Sequence, residues 1–271
     1  MDIRNLLMIV VISTCSLNAM AQYTYGEPIE SNTTAELRKT RFGLFFAPNS
    51  SWMKPTAAKS NDGRYLVTSE GSKVGYSWGL MIDHFFAENY GISTGVQLAT
   101  TGGKILAEYD PSKFPTPGPD NIVKSASFDY RLQYFEVPFG LKLMSDNLGG
   151  GLRIFGNLGV TAAINISKKA TYSVTYTDTS GTGLVDEIAT GENEKLRNGV
   201  SIIPVLFQMN LGGGIEYQFT PKMSLYMGLF FNNGFAPDVT SPKDINMGYK
   251  GTFTDGNIRL NNIALKVGLF F

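Results

Sequence analysis

The chain has 271 residues, enough for one large domain or two small ones, and its 23 basic and 23 acidic residues cancel. Balanced charge with no basic cluster gives nothing to hold a nucleic-acid backbone, and a single cysteine, Cys15, excludes a disulfide scaffold. Thirty glycines, 12% aromatic and only 17% charged residues suit many strands and tight turns better than helices.

The N-terminus carries an export pattern. Arg4 precedes the apolar run Leu6 to Thr14, and Ala19 and Ala21 have the small-residue spacing of a signal-peptidase site. Residues 1–21 are therefore expected to be a signal peptide cleaved before Gln22. Cys15, in the tetrapeptide ISTC, leaves a lipid-modified N-terminus open as the alternative. Past this segment no apolar run is long enough for a spanning helix.

After a polar lead-in (22–40), the chain becomes a series of period-two segments divided by glycine and polar stretches. RFGLFFAP, from Arg41 to Pro48, is the first. KVGYSWGLMID sets Val74, Tyr76, Trp78, Leu80 and Ile82 against Gly75, Ser77, Gly79, Met81 and Asp83. YGISTGVQLAT opposes Tyr90, Ile92, Val96 and Leu98 to Gly91, Ser93, Gly95 and Gln97. FDYRLQYFEVPFGLKLM changes phase near Tyr134 and Phe135, where a bulge is expected. Beyond that point Phe135, Val137, Phe139 and Leu141 share one face, and Glu136, Gly140 and Lys142 the other. GLRIFGNLGVTAAINIS, SIIPVLFQMNLGGGIEYQF, MSLYMGLFF and a closing stretch from about Asn257 to Phe271 bring the count to eight.

The connections alternate in length. Short turns are expected at Glu88-Asn89, at Ser145 to Gly150 and at Thr220 to Lys222. Long polar connections are expected at about 49–72, 102–127, 168–199 and 233–256. An up-and-down barrel of the outer membrane has this asymmetry, with short periplasmic turns and long extracellular loops. The expected fold is therefore all-β, a transmembrane antiparallel barrel of about eight strands over residues 41–271.

Two faces support that reading over a soluble sandwich. One is almost continuously Leu, Val, Ile, Phe and Met, too bulky for the interior of eight strands. The other mixes Gly, Ser, Asn, Gln and charge, and fits a narrow lumen with lipid outside. Phe85, Phe86 and Tyr90 flank one short turn, and Tyr217 and Phe219 another, as an interfacial girdle requires. Asp83, Glu136, Lys142, Arg153, Glu216 and Lys266 fall on the inner face. Such a cluster is expected to form a paired plug, with an ion path as the competing reading.

Chemistry finds little to work with. The one histidine, His84, sits beside the Glu88-Asn89 turn, on the periplasmic side of this topology, and no catalytic, cofactor or metal set accompanies it. LGGG occurs at Leu148 to Gly151 and at Leu211 to Gly214, but neither opens a helix as a nucleotide fingerprint must.

YFEVPFGLKL (Tyr134 to Leu143), IFGNLGVTAAI (Ile154 to Ile164) and NLGGGIEYQF (Asn210 to Phe219), behind an export signal ending in AQ, resemble the PorT-like outer-membrane β-barrel proteins of Bacteroidetes. The resemblance implies an outer-membrane barrel over nearly the whole mature chain, without catalytic residues. Its namesake is linked to protein secretion across the outer membrane. Resemblance to outer-membrane barrels generally, whose final strand ending in an aromatic is recognised by the insertion machinery, implies that Phe271 is an assembly signal. The function expected is non-enzymatic: structural, adhesive, or accessory to secretion or envelope assembly. A small-solute pore or binding barrel and a lipid-modifying enzyme are the alternatives. The partners expected are outer-membrane lipid and the assembly machinery.

Overall fold

Strands apolar on one side and polar on the other can cross hydrocarbon only if their ladder closes, because an open edge would leave backbone donors and acceptors without partners. The computed structural model describes residues 38–55, 65–109, 121–178, 185–195, 201–202, 204–235, 239–240 and 258–271, all in the unit Glu36–Phe271. The strands are β1 (Thr40–Pro55), β2 (Tyr65–Ala87), β3 (Tyr90–Tyr109), β4 (Asn121–Met144), β5 (Leu152–Asp178), β6 (Val185–Lys195), β7 (Ser201–Ile202), β8 (Val205–Gln218), β9 (Ser224–Gly234), β10 (Val239–Thr240) and β11 (Ile258–Phe270). Eight of them form a closed antiparallel ring in the order β1-β2-β3-β4-β5-β8-β9-β11. The last strand returns to the first, with Leu44 opposite Leu269 and Phe46 opposite Val267. Closure removes the sandwich alternative. Strand β6 extends the ladder from the far half of β5, while β7 and β10 pair with each other and β10 with β11.

The expected alternation holds along the ring. Leu44, Leu80, Phe139, Leu158, Phe207, Leu229 and Ile263 point outward and are exposed, whereas Phe45, Met81, Lys142, Thr161, Gln208, Phe230 and Ala264 on the same strands are buried. A water-facing surface this apolar would aggregate. It suits lipid. Around the short-turn end Phe42, Phe86, Tyr90, Tyr217 and Phe219 stand exposed as a girdle. Phe85 does not join them: it is adjacent to Phe86, so the pleat turns it into the lumen, where it is 5% exposed.

Two features depart from the sequence reading. First, the inner face of β4 does not switch between Phe128 and Lys142. Phe128, Tyr130, Leu132, Tyr134, Glu136 and Lys142, all at even positions, are buried. The extra residue lies on β5 instead, where Gln133 pairs with Ser167 and Tyr134 with Asn165, leaving exposed Ile166 between them. The apparent phase change arose because the lumen itself becomes apolar above Glu136. Second, much of the predicted long connections is strand. β2 and β3 pair as far as Tyr65 with Tyr109, and β4 and β5 as far as Asn121 with Asp178. A span needs only about 9–11 tilted residues, so these 20- to 27-residue strands project well beyond the bilayer on the long-loop side.

The short turns are built as expected. Ala87 pairs with Tyr90 across Glu88-Asn89. Between β4 and β5, Gly149, Gly150 and Gly151 take φ of 117, 61 and 88°, and the Asn147 side-chain oxygen accepts from the amides of Gly149 and Gly151. Side chains with a Cβ are strained at such φ values.

Candidate functional site

Alternation starting from outward Phe42 and Leu44 turns Arg41 into the lumen as the first inward residue of β1. Asp83 on β2, Lys142 on β4 and Glu216 on β8 converge on it. Arg41 Nη2 donates to Asp83 Oδ2 at 2.9 Å and to Glu216 Oε2 at 3.0 Å, and its Nη1 donates to Glu216 Oε1. Lys142 Nζ donates to Asp83 Oδ2 and, at 3.4 Å, to Glu216 Oε2. Ser224 on β9 donates its hydroxyl to Glu216 Oε1 at 2.7 Å. Arg41 is 5% exposed, and the other three charged residues of the set 1% or less. Two cations and two anions cancel, which is the condition for keeping charge in so dry a place.

Aromatic rings close the gaps around this set. The Arg41 guanidinium lies 4.3 Å from the centroid of Phe270 and 5.1 Å from that of Phe85. Lys142 Nζ lies 4.9 Å from Phe155, 5.0 Å from Tyr226 and 4.9 Å from Phe270. Phe155 and Tyr226 stack on each other at 4.6 Å. Rings this near a cation are attracted to it through their negative faces as well as filling volume.

The next layers are polar and then apolar. Gln97 bridges the remaining charges: its Nε2 donates to Glu136 Oε2, and its Oε1 accepts from Lys266 Nζ at 3.3 Å. Lys266 also faces Phe45 at 4.8 Å and Phe230 at 4.6 Å. Asn210 donates to Asn232, which donates to Asn262 at 2.7 Å, so a side-chain chain links β8, β9 and β11. Above these, Met53, Ile105, Phe128, Tyr130, Leu132, Leu206, Ile258 and Leu260 fill the projecting half as a buried apolar cluster.

Of the six inner charges singled out in the sequence, Asp83, Lys142 and Glu216 meet directly, and Glu136 and Lys266 meet through Gln97. Arg153 stands apart. It is the cross-strand neighbour of Glu216, yet its Nη1 donates to the Ser145 carbonyl at 3.3 Å, at the turn. Arg41, which the sequence reading left out, is the hub; its parity with Gly43 and Phe45 was the available signal. His84 points outward, with Nδ1 2.8 Å from Thr40 Oγ1. Phe271 lies one residue past β11, half exposed, its amide donating to the Phe42 carbonyl at 2.9 Å.

The chain matches no curated protein sequence. Among solved structures it is similar to Ail, the attachment invasion locus protein of Yersinia pestis, crystallised with the heparin analogue sucrose octasulfate, at 12% identity over 86% of this chain and 100% of that one, with a TM-score of 0.35. It is similar to the outer-membrane protein OprG of Pseudomonas aeruginosa at 12% identity, over 87% of this chain and 98% of that one, with a TM-score of 0.38. The outer-membrane protease OmpT of Escherichia coli aligns at 10% identity over 86% of this chain and 95% of that one, with a TM-score of 0.34. Residues 20–237 match the outer membrane protein beta-barrel domain family. With most of its length matched and its ring closed, the chain belongs to that family of outer-membrane β-barrel proteins.

Proposed function

We infer that this is a plugged, non-enzymatic barrel that acts through its projecting outer end or its periplasmic rim, as a structural or adhesive protein or an accessory to secretion or envelope assembly. One observation carries the reading: among the described residues, side chains fill the lumen in successive layers from the short-turn end into the projecting half, leaving only a small space beside Gln97. The ion set on its aromatic floor, the Gln97 and asparagine layers and the apolar upper core follow one another among the described residues. Side chains already fill most of an eight-stranded barrel, and here the ion set and the Gln97 and asparagine layers pair across it. The PorT-like resemblance of Tyr134 to Leu143 and Asn210 to Phe219 favours the secretion accessory within that class. Residues 1–21, proposed as the cleaved export signal, lie outside the described residues, as does most of the lead-in 22–40. Phe271 is proposed as the signal read by the insertion machinery.

A small-solute pore is the second reading, favoured by a small space beside Gln97, Asn157, Asn210 and Lys266. Planar-bilayer recording separates the two. The purified barrel is expected to give no unitary conductance, and stable channels would overturn the plug. Unchanged lipid A mass spectra on deletion of the gene are expected as well. A lost or gained modification would make it an enzyme.

A further inference from the structure

We propose that the outer wall of the barrel carries a binding site for the phosphate of an outer-leaflet glycolipid, built from Arg131, Lys169 and Lys195. The ladder sets the three side by side: Arg131 on β4 is the direct partner of Lys169 on β5, and Lys169 of Lys195 on β6. Directly paired residues of antiparallel strands point to the same face. Arg131 lies between buried Tyr130 and Leu132 and is itself exposed, so that face is the outer one. Gly102 on β3, the partner of Arg131 on its other side, extends the row. A Cβ there would lie 3.1 Å from Lys73 Cδ, so the lysine stem crosses the bare backbone on its way to an ion pair with Asp129.

Like charges directly opposite each other on neighbouring strands destabilise a sheet unless an anion lies between them. Asp129 is already committed to Lys73 and stands 4.0 Å from Lys104. Among the described residues no carboxylate pairs with Arg131, Lys169 or Lys195. The same arrangement recurs elsewhere on the ring, where Lys54 on β1 is the direct partner of Arg259 on β11.

Height decides what that counter-ion is. On β4 the outward residues climbing from the short-turn end are Leu143, Leu141, Phe139, Val137 and Phe135, then Gln133, then Arg131. On β5 they run through Leu158, Val160, Ile164 and Ile166 to Lys169. The cations therefore begin where the lipid-facing band stops, at the level of outer-leaflet headgroups. Acyl chains against Phe135, Ile164 and Ile166 would place an attached phosphate on the row. Arg131 offers it a planar fork of donors and the lysines offer point charges. A ligand with both parts fits; a free phosphate gains nothing from the band below.

The site is independent of whether the lumen conducts, and its test does not touch the plug. The purified full-length barrel in detergent is titrated with phosphorylated lipid A and with the same lipid A dephosphorylated, and bound lipid is counted by native mass spectrometry. The combined Arg131→Gln, Lys169→Gln and Lys195→Gln variant is expected to bind the phosphorylated form about tenfold or more weakly, with binding of the dephosphorylated form unchanged. Lys222→Gln, in a periplasmic turn, should bind as the parent does. Lys169→Arg keeps the charge and should retain binding; Arg131→Gln and Lys169→Gln alone give smaller losses should the combined variant fail to assemble. Equal binding of both lipids, an unaffected combined variant, or loss in Lys169→Arg as deep as in Lys169→Gln would overturn the site. Displacement of the lipid by inorganic phosphate at equal concentration would overturn the assignment to a lipid.

Discussion

Arg41, Asp83, Lys142 and Glu216 occupy the periplasmic end of the lumen, whereas Phe128, Leu132, Leu206 and Leu260 occupy the projecting end. Both sets are buried, and both fill a barrel of the same eight strands. The upper set is placed by burial of apolar area, and one such side chain replaces another of similar size at small cost. The lower set is specific to geometry. Arg41 binds across to β2 and β8, and Lys142 from β4 reaches the same two carboxylates. A one-residue slip of any of these strands would carry its charge to the lipid face. The charged end thus fixes register as the ring closes, and the apolar end adds bulk once register is set.

The sharpest way to break that division is to remove the shared acceptor. Glu216→Ala leaves Arg41 and Lys142 with Asp83 alone, and an uncompensated buried charge costs about 3–5 kcal/mol. Urea unfolding of the folded barrel, followed by heat-modifiable gel migration, should show that loss. Replacing all four residues together by Met and Leu of similar volume should recover most of it, since an isosteric apolar set is often neutral. A second substitution pair extends the comparison from the lumen to the wall. Leu265 faces lipid and its neighbour Lys266 faces the lumen. Leu265→Arg should cost about 2–4 kcal/mol near the bilayer midplane, while Lys266→Arg should assemble normally. The reverse ranking in the same assay would invert the faces assigned to β11.

Period two made most of this legible. Wherever large apolar residues alternate with small or polar ones, as from Phe135 to Lys142, both faces could be assigned before any contact was known. What failed has physical causes. Arg41 begins its segment, with no alternation before it to declare its face. Phe128, Tyr130 and Leu132 are apolar yet luminal, so the rule that apolar means outward inverted above the membrane and mimicked a bulge. The projecting strands read as loops because neither face there meets lipid, and Thr, Ser, Gly and charged residues interrupt their apolar alternation. Arg153 has the right parity, but parity does not say how far a side chain reaches, and the turn carbonyl of Ser145 lies within its range.

Tyr130→Phe tests the upper half where its chemistry is weakest, and carries the smallest effect. Tyr130 is fully buried, stacks on Phe128 at 5.7 Å, and its hydroxyl has no hydrogen-bond partner among the described residues. A buried polar group left unpaired costs about 1–3 kcal/mol. Phenylalanine keeps the ring, the stacking and nearly all the volume, and deletes only the oxygen. If the projecting end is held by apolar packing alone, the variant should be as stable as the parent or about 1 kcal/mol more stable in urea. A loss of that size would mean that the hydroxyl does hold a partner. The outer half would then fix its geometry by polar contacts, as the periplasmic half does.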